Sequence, residues 1–124
     1  MKVLLSIKPE YAEKILSGEK KYEFRRTLFK NSSISKVIIY ASSPIQKVIG
    51  EFDIDKLLSL DIDDLWIKTQ KHSGIEKDFY YEYFEGKDIA HAIKVKSSKR
   101  YRKAKELSSY NIVRPPQSFM YLAV

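Results

Sequence analysis

The residue types best suited to chemistry crowd into one stretch, Gly18-Glu19-Lys20-Lys21-Tyr22-Glu23-Phe24-Arg25-Arg26. Across 20–26, four cations interleave with an aromatic pair and one carboxylate. Arg25 offers a planar fork of donors suited to a phosphate or a base edge. Glu23 can accept from an exocyclic amine or orient Arg25, and Lys20 is expected as a flexible cation at a corner of the chain. Crowding by Lys21, Arg25 and Arg26 would depress a lysine pKa and favour a nucleophilic or basic amine, while Glu23 acts in the opposite sense. The structural alternative is an exposed charged face whose ion pairs are each worth less than about 1 kcal/mol.

A second candidate is the run 96–105, which holds six basic residues and no acid. Its Lys99, Arg100, Arg102 and Lys103 can neutralise phosphates, making affinity fall with salt, and Tyr101 can stack on an unpaired base. The alternative is a solvated strand end or loop. His72 and His91 stand alone, without partners at metal-ligand spacing, so neither a metal site nor a cofactor is expected. His91 reads as a packed, hydrogen-bonded core residue, and Trp66, Phe79, Tyr83 and Phe84 read as core at helical spacing. There is no Gly-rich phosphate loop, nucleophile elbow or Cys/His cluster.

These candidates need elements to hold them. A length of 124 residues suits a single domain spanning 1–124, and 44% hydrophobic with 31% charged residues suits a soluble globular chain. The net charge of +7 favours an anionic partner. That charge is segregated, since 53–64 is acidic. With no cysteine, disulfides and thiolate chemistry are excluded. The N-terminal apolar run, Val3-Leu4-Leu5 and Ile7, is too short for a membrane span, so a cytoplasmic protein without a membrane partner is expected. Nothing in the sequence speaks to oligomeric state.

In order, 2–7 reads as a short apolar strand, and Pro9 opens a helix of about two turns that Gly18 can end in the left-handed conformation. Lys21, Glu23 and Arg25 then alternate with Tyr22 and Phe24 at strand period. The run 37–41 suits a strand covered on both faces, and 46–54 alternates cleanly, with Gly50 a candidate bulge. Carboxylates at Asp61 start a helix, and Ser73 is placed to cap a second. A strand over 89–95, a short helix at 105–110, an extended Pro115-Pro116 segment and a last strand at 118–124 follow. The class is α+β, a small curled sheet or open barrel with a helical insertion at 61–85.

Ser6-Ile7-Lys8-Pro9 with Tyr11, Ala12 and Ile15, then Gly18-x-Lys20-x-x-Glu23-x-Arg25, then Pro115-Pro116-Gln117-Ser118-Phe119, resembles the ASCH domains of the PUA-like superfamily. The resemblance implies a small mixed β-barrel of about five to six strands with flanking helices, and a cleft beside the motif that binds RNA. Some small bacterial members resemble amidohydrolases of N4-acetylcytidine that use the motif lysine, a threonine three residues on and a later glutamate. Lys20 matches that lysine, Glu23 stands at the threonine position, and Glu76 is the nearest counterpart of the glutamate. An ionised carboxylate lacks the hydroxyl's donor. The expectation is therefore a module for RNA, single-stranded nucleic acid or a modified nucleoside, with Lys20, Glu23 and Arg25 lining the cleft and 96–105 tracking phosphate. The alternatives are an amidohydrolase with Lys20 as nucleophile or base, and a protein-interaction module.

Overall fold

The computed structural model describes residues 1–122. Its elements run β1 (Lys2–Ile7), α1 (Pro9–Ser17), β2 (Tyr22–Arg25), β3 (Lys36–Ala41), β4 (Lys47–Asp61), α2 (Ile62–Thr69), α3 (Lys77–Tyr83), β5 (Ile89–Lys105) and β6 (Phe119–Leu122). Single 3₁₀ turns follow α2 at Gln70–His72 and β5 at Leu107–Tyr110. The last two positions of the expected strand at 118–124 lie outside the described residues.

The six strands form one mixed sheet in the order β2-β5-β4-β3-β1-β6, with β1 and β3 parallel and every other pair antiparallel. This is the expected α+β class, helical insertion included. Among the described residues no ladder joins β2 to β6, so the sheet curls without closing.

The core follows from apolar runs that have a second layer to meet. Val3, Leu5 and Ile7 of β1 and Val37 and Ile39 of β3 pack with Ala12 and Ile15 of α1 and with Phe52 and Ile93. The opposite face of the same strands, Leu4, Ile38 and Tyr40, together with Val48 of β4, is covered by Tyr101, Leu107, Tyr110 and Ile112. Near-continuous apolar strands are what burial on both faces requires. A second cluster joins the helical insertion to the sheet, with Leu65, Trp66, Tyr80 and Phe84 packed on Tyr22, Phe24, Ala90 and Ala92.

The sheet's length departs from the sequence expectation. β4 continues beyond residue 54 to Asp61 and β5 beyond residue 95 to Lys105, because the acidic end of β4 pairs with the start of β5 at 89–95 and the basic end of β5 pairs back on 48–53. Lys94 meets Asp55 at 3.5 Å, and Ser97 donates to Asp53 at 3.1 Å. Cross-strand contacts of this kind make strand out of segments whose composition reads as loop. At the start of β5 the inward face is Ala90 and Ala92, whereas Ile89 is exposed. His91 is therefore a half-exposed residue hydrogen-bonded to Ser59 Oγ at 2.7 Å, and not the core residue expected. Burial and the Lys87 charge hold its pKa below the usual value.

Two capping expectations resolve differently. Asp61 caps α2, accepting from the Asp63 backbone at 3.0 Å. Ser73 caps nothing at α3, where Glu76 occupies the cap position without a side-chain bond. The expected helix at 105–110 shrinks to a single 3₁₀ turn.

Gly50 marks the expected bulge, with register shifts on both flanking ladders. A Cβ there would lie 2.7 Å from the Lys99 carbonyl oxygen and 2.9 Å from Leu16 Cδ2. Gly50→Ala should destabilise the protein by about 1–3 kcal/mol through this crowding. Urea denaturation reads the effect, and an unchanged midpoint would show that the close approach carries no constraint.

Candidate functional site

Gly18 ends α1 at φ +88°, its N–H donating to the Ile15 carbonyl at 3.1 Å. The next residues are pinned by their backbones, Lys20 N–H to Lys14 O at 3.0 Å and Lys21 N–H to His72 O at 2.9 Å. This geometry turns the Lys20 side chain inward, where it is 2% exposed. Its Nζ donates to the Ser73 carbonyl at 2.5 Å and lies 4.8 Å from the Phe24 ring centroid and 5.5 Å from that of Tyr11. Gly74, at φ +70°, packs on the stem, and a Cβ there would sit 2.6 Å from Lys20 Cγ. Lys14 Nζ holds the Gly74 carbonyl at 3.1 Å, fastening the loop to α1. The flexible corner cation of the sequence reading is thus a clamped, buried ammonium.

Burial lowers the Lys20 pKa to about 8, with Lys14 adding to the effect and Glu23 opposing it. Desolvation is the cause, not the expected crowding by Lys21, Arg25 and Arg26. Rings facing the ammonium partly replace its water.

Glu23 is 7% exposed, and one carboxylate oxygen accepts from Arg25 at 3.2 Å. Its other oxygen has no hydrogen-bond partner among the described residues. Arg25 donates further to the Ser118 carbonyl at 3.1 Å and to Ser118 Oγ at 2.7 Å. Its fork joins β2 to the segment before β6 more than it offers itself to a ligand. Ser6 Oγ donates to the Pro116 carbonyl at 2.7 Å, anchoring that segment to β1 from the other side.

These side chains surround a cavity of about 300 Å³ at the open seam of the sheet. Ser6, Ile7 and Lys8 from the end of β1, Tyr11 of α1, Lys20, Glu23, Phe24 and Arg25, Ile75, Phe79 and Tyr83 from the insertion, and Gln117 line it. Phe79 and Tyr83 stack at 6.2 Å and 23°, Tyr11 lies 5.9 Å from Phe79, and Lys8 Nζ lies 5.9 Å from the Phe79 ring. Arg26 sets Tyr83 in place, donating to its carbonyl at 2.6 Å, and Tyr83 OH donates to the Phe24 carbonyl at 3.2 Å. Burial raises the pKa of both Tyr11 and Tyr83, so both stay neutral donors at neutral pH.

The structure therefore brings Lys20, Glu23 and Arg25 together and leaves the other candidates elsewhere. Lys99, Arg100, Tyr101, Arg102 and Lys103 line a separate open concavity with Lys105. Tyr101 OH donates to Glu51 at 2.9 Å, and Lys105 Nζ lies 4.7 Å from its ring. Glu76 is exposed and does not line the cavity. Phe79 and Tyr83, read as core, are half-buried cavity wall, while Tyr80 and Phe84 fill the core. The signal was present in Phe79-Tyr80-Tyr81 and Tyr83-Phe84, which give one short helix more aromatic residues than one buried stripe can hold. Among the described residues no group of His, Cys, Asp and Glu is arranged to hold a metal ion, and no helix is long and apolar enough to cross a membrane.

An ammonium, a carboxylate oxygen without a partner and aromatic walls suit a flat polar heterocycle that presents both donors and acceptors. The family model described as the ASCH domain matches residues 5–99. The large ribosomal subunit protein uL22 of Ureaplasma parvum is 38% identical over 121 residues, which are 97% of this chain and 39% of that protein. The chain thus spans well under half the length of that relative. An ASCH domain-containing ribonuclease of Zymomonas mobilis is 30% identical over 124 residues, covering 96% of this chain and 82% of that protein. The crystal structure of ASCH from Zymomonas mobilis superposes with a TM-score of 0.90 at 28% identity, over 98% of this chain and 87% of that one.

The depressed Lys20 pKa has a stability consequence of definite sign. Between about pH 8 and the ordinary lysine value the unfolded chain binds the proton more tightly, so stability rises with pH through that window. Relative to Lys20→Met, the wild type should gain about 2 kcal/mol of unfolding free energy from about pH 7.5 to about pH 10. Denaturant titrations of both proteins across that range check it, and parallel pH profiles would mean that the ammonium is not desolvated.

Proposed function

The chain belongs to the ASCH domain family, and we propose that it acts on RNA by taking one unpaired nucleotide into the seam cavity. The observation that carries this reading is the free carboxylate oxygen of Glu23, beside the Lys20 ammonium and an aromatic wall in one cavity of about 300 Å³. A duplex cannot enter such a space, so the nucleotide must be single-stranded or extruded. Phe79 and Tyr83 supply a stacking face, worth about 1–3 kcal/mol per base. Glu23 accepts from an amine or ring N–H on the base edge, and Lys20 and Lys8 donate toward carbonyl or phosphate oxygens. Arg25 fixes the orientation of Glu23.

A relative that is named a ribonuclease and covers most of this chain supports RNA as the ligand class. It also motivates a second reading, RNA cleavage. An amine with a pKa of about 8 can hold or release a proton near neutral pH. The nucleoside amidohydrolase reading draws on the same lysine, but Glu23 is tied to Arg25 and Glu76 lies outside the cavity, so the other groups that chemistry uses are not at hand.

Fluorescence anisotropy with a labelled single-stranded RNA tests the binding. Glu23→Gln and Phe79→Ala should each weaken affinity by about tenfold, from a lost charged hydrogen bond and a lost stacking face respectively. Wild-type affinity in both variants would rule the cavity out as the binding site. Incubating the wild type with RNA, and separately with N4-acetylcytidine, separates the catalytic readings. RNA fragments formed by the wild type and not by Lys20→Met would establish cleavage, and released cytidine would instead establish the amidohydrolase.

A further inference from the structure

The basic segment at the end of β5 is shaped by a defect in the sheet. Gly50 sits opposite Arg100 and Val48 opposite Lys105, so residues 101–104 face only Ile49 on β4 and must arch away from the ladder. A bulge re-aims the side chains it carries. The arch is pinned at its root by Tyr101, whose hydroxyl donates to Glu51, and Lys36 in turn pairs with Glu51. Ser98 Oγ holds the Ile15 carbonyl at 3.2 Å, fixing β5 to α1 just before the arch.

The cations of this arm are not equivalent. Arg100 is neutralised by Glu13 of α1, and Lys105 lies over the rings of Tyr101 and Tyr110. The nearby carboxylates are already engaged: Glu13 with Arg100, Glu51 and Asp53 with Lys36, and Glu106 with Lys47. Lys99, Arg102 and Lys103 are exposed and have no carboxylate partner among the described residues. Two uncompensated cations on a pinned arch, with Lys99 in the ladder just before it, form a fixed positive field rather than a self-neutralised surface.

We infer that the bulged arm of β5 is a second, sequence-independent site that binds the sugar-phosphate backbone of RNA through Lys99, Arg102 and Lys103. The arm lies against α1, which contributes Tyr11 to the cavity wall and Glu13 to the arm. A strand with one nucleotide in the cavity therefore reaches the arm by crossing a single short helix. Its flanking phosphates meet the free cations there. This inference takes from the proposed function only that the ligand is RNA; the arm does not need the cavity to be filled.

The experiment measures affinity across 50 to 200 mM salt for a single-stranded RNA of about twelve nucleotides, and separately for mononucleotides. In the triple variant Lys99→Gln, Arg102→Gln, Lys103→Gln, the slope of log affinity against log salt should be shallower by about 2 for the long RNA. That amounts to about 16-fold less loss of affinity over that range. Mononucleotide binding should be unchanged, and Arg100→Gln, which removes an already neutralised charge, should move the slope far less. An unaltered slope in the triple variant, or an equal change in Arg100→Gln, overturns the assignment. So does an equal affinity for anionic lipid vesicles, which would make the arm a general anion surface. A long RNA that binds with the predicted slope while no mononucleotide binds would support the arm and remove the cavity reading alone.

Discussion

The Arg25 guanidinium ties together two strands that never pair. β2 and β6 stand at opposite ends of the strand order, and Arg25 bridges from β2 to Ser118 just before β6 while also holding Glu23. A buried ion pair is tolerable only when its remaining donors and acceptors are satisfied. Here Ser118 accepts the remaining donors of Arg25 from the far edge, while the second Glu23 oxygen is left to the cavity, so the pair that dresses the cavity also ties its two sides together. The site exists because hydrogen bonding stops short at the seam and one side chain spans what is left.

Lys20 shows the cost of such a site. A buried ammonium with a carbonyl and two rings for company is less stable than a solvated one, and its lowered pKa is the measure of that. Residues held against their solvation preference cluster where a protein binds or reacts. The loop around Gly74 makes the arrangement possible, because only a residue without a Cβ can lie on the lysine stem at that backbone angle. Fold and site thus meet at a glycine 54 residues beyond the lysine in sequence.

Much of the scaffold was legible because local signals agreed with tertiary burial. β1, α1 with its Gly18 stop, β3 and the Asp61-led helix all carry apolar periodicity that the core then uses. The length of β4 and β5 was not legible, since each charged block gains strand character from a distant partner strand and no window contains both. Likewise Ser73 looks like a cap until its carbonyl is seen to serve Lys20. The motif Lys20, Glu23 and Arg25 was legible as a unit, yet their roles were not. Burial of Lys20, the diversion of Arg25 into a tie and the aromatic wall of Phe79 and Tyr83 all depend on partners more than fifty residues away.

Among the described residues the two strands that flank the seam are each four residues long. A sheet that leaves its ends unpaired normally offers its backbone as a template to other molecules, and proteins blunt that hazard by keeping edge strands short or charged. β2 carries Glu23 and Arg25, and the hydroxyl of Tyr121 in β6 is occupied by the backbone N–H groups of Lys30 and Asn31. The gap at the seam is thus a poor nucleus for strand-by-strand pairing with other molecules.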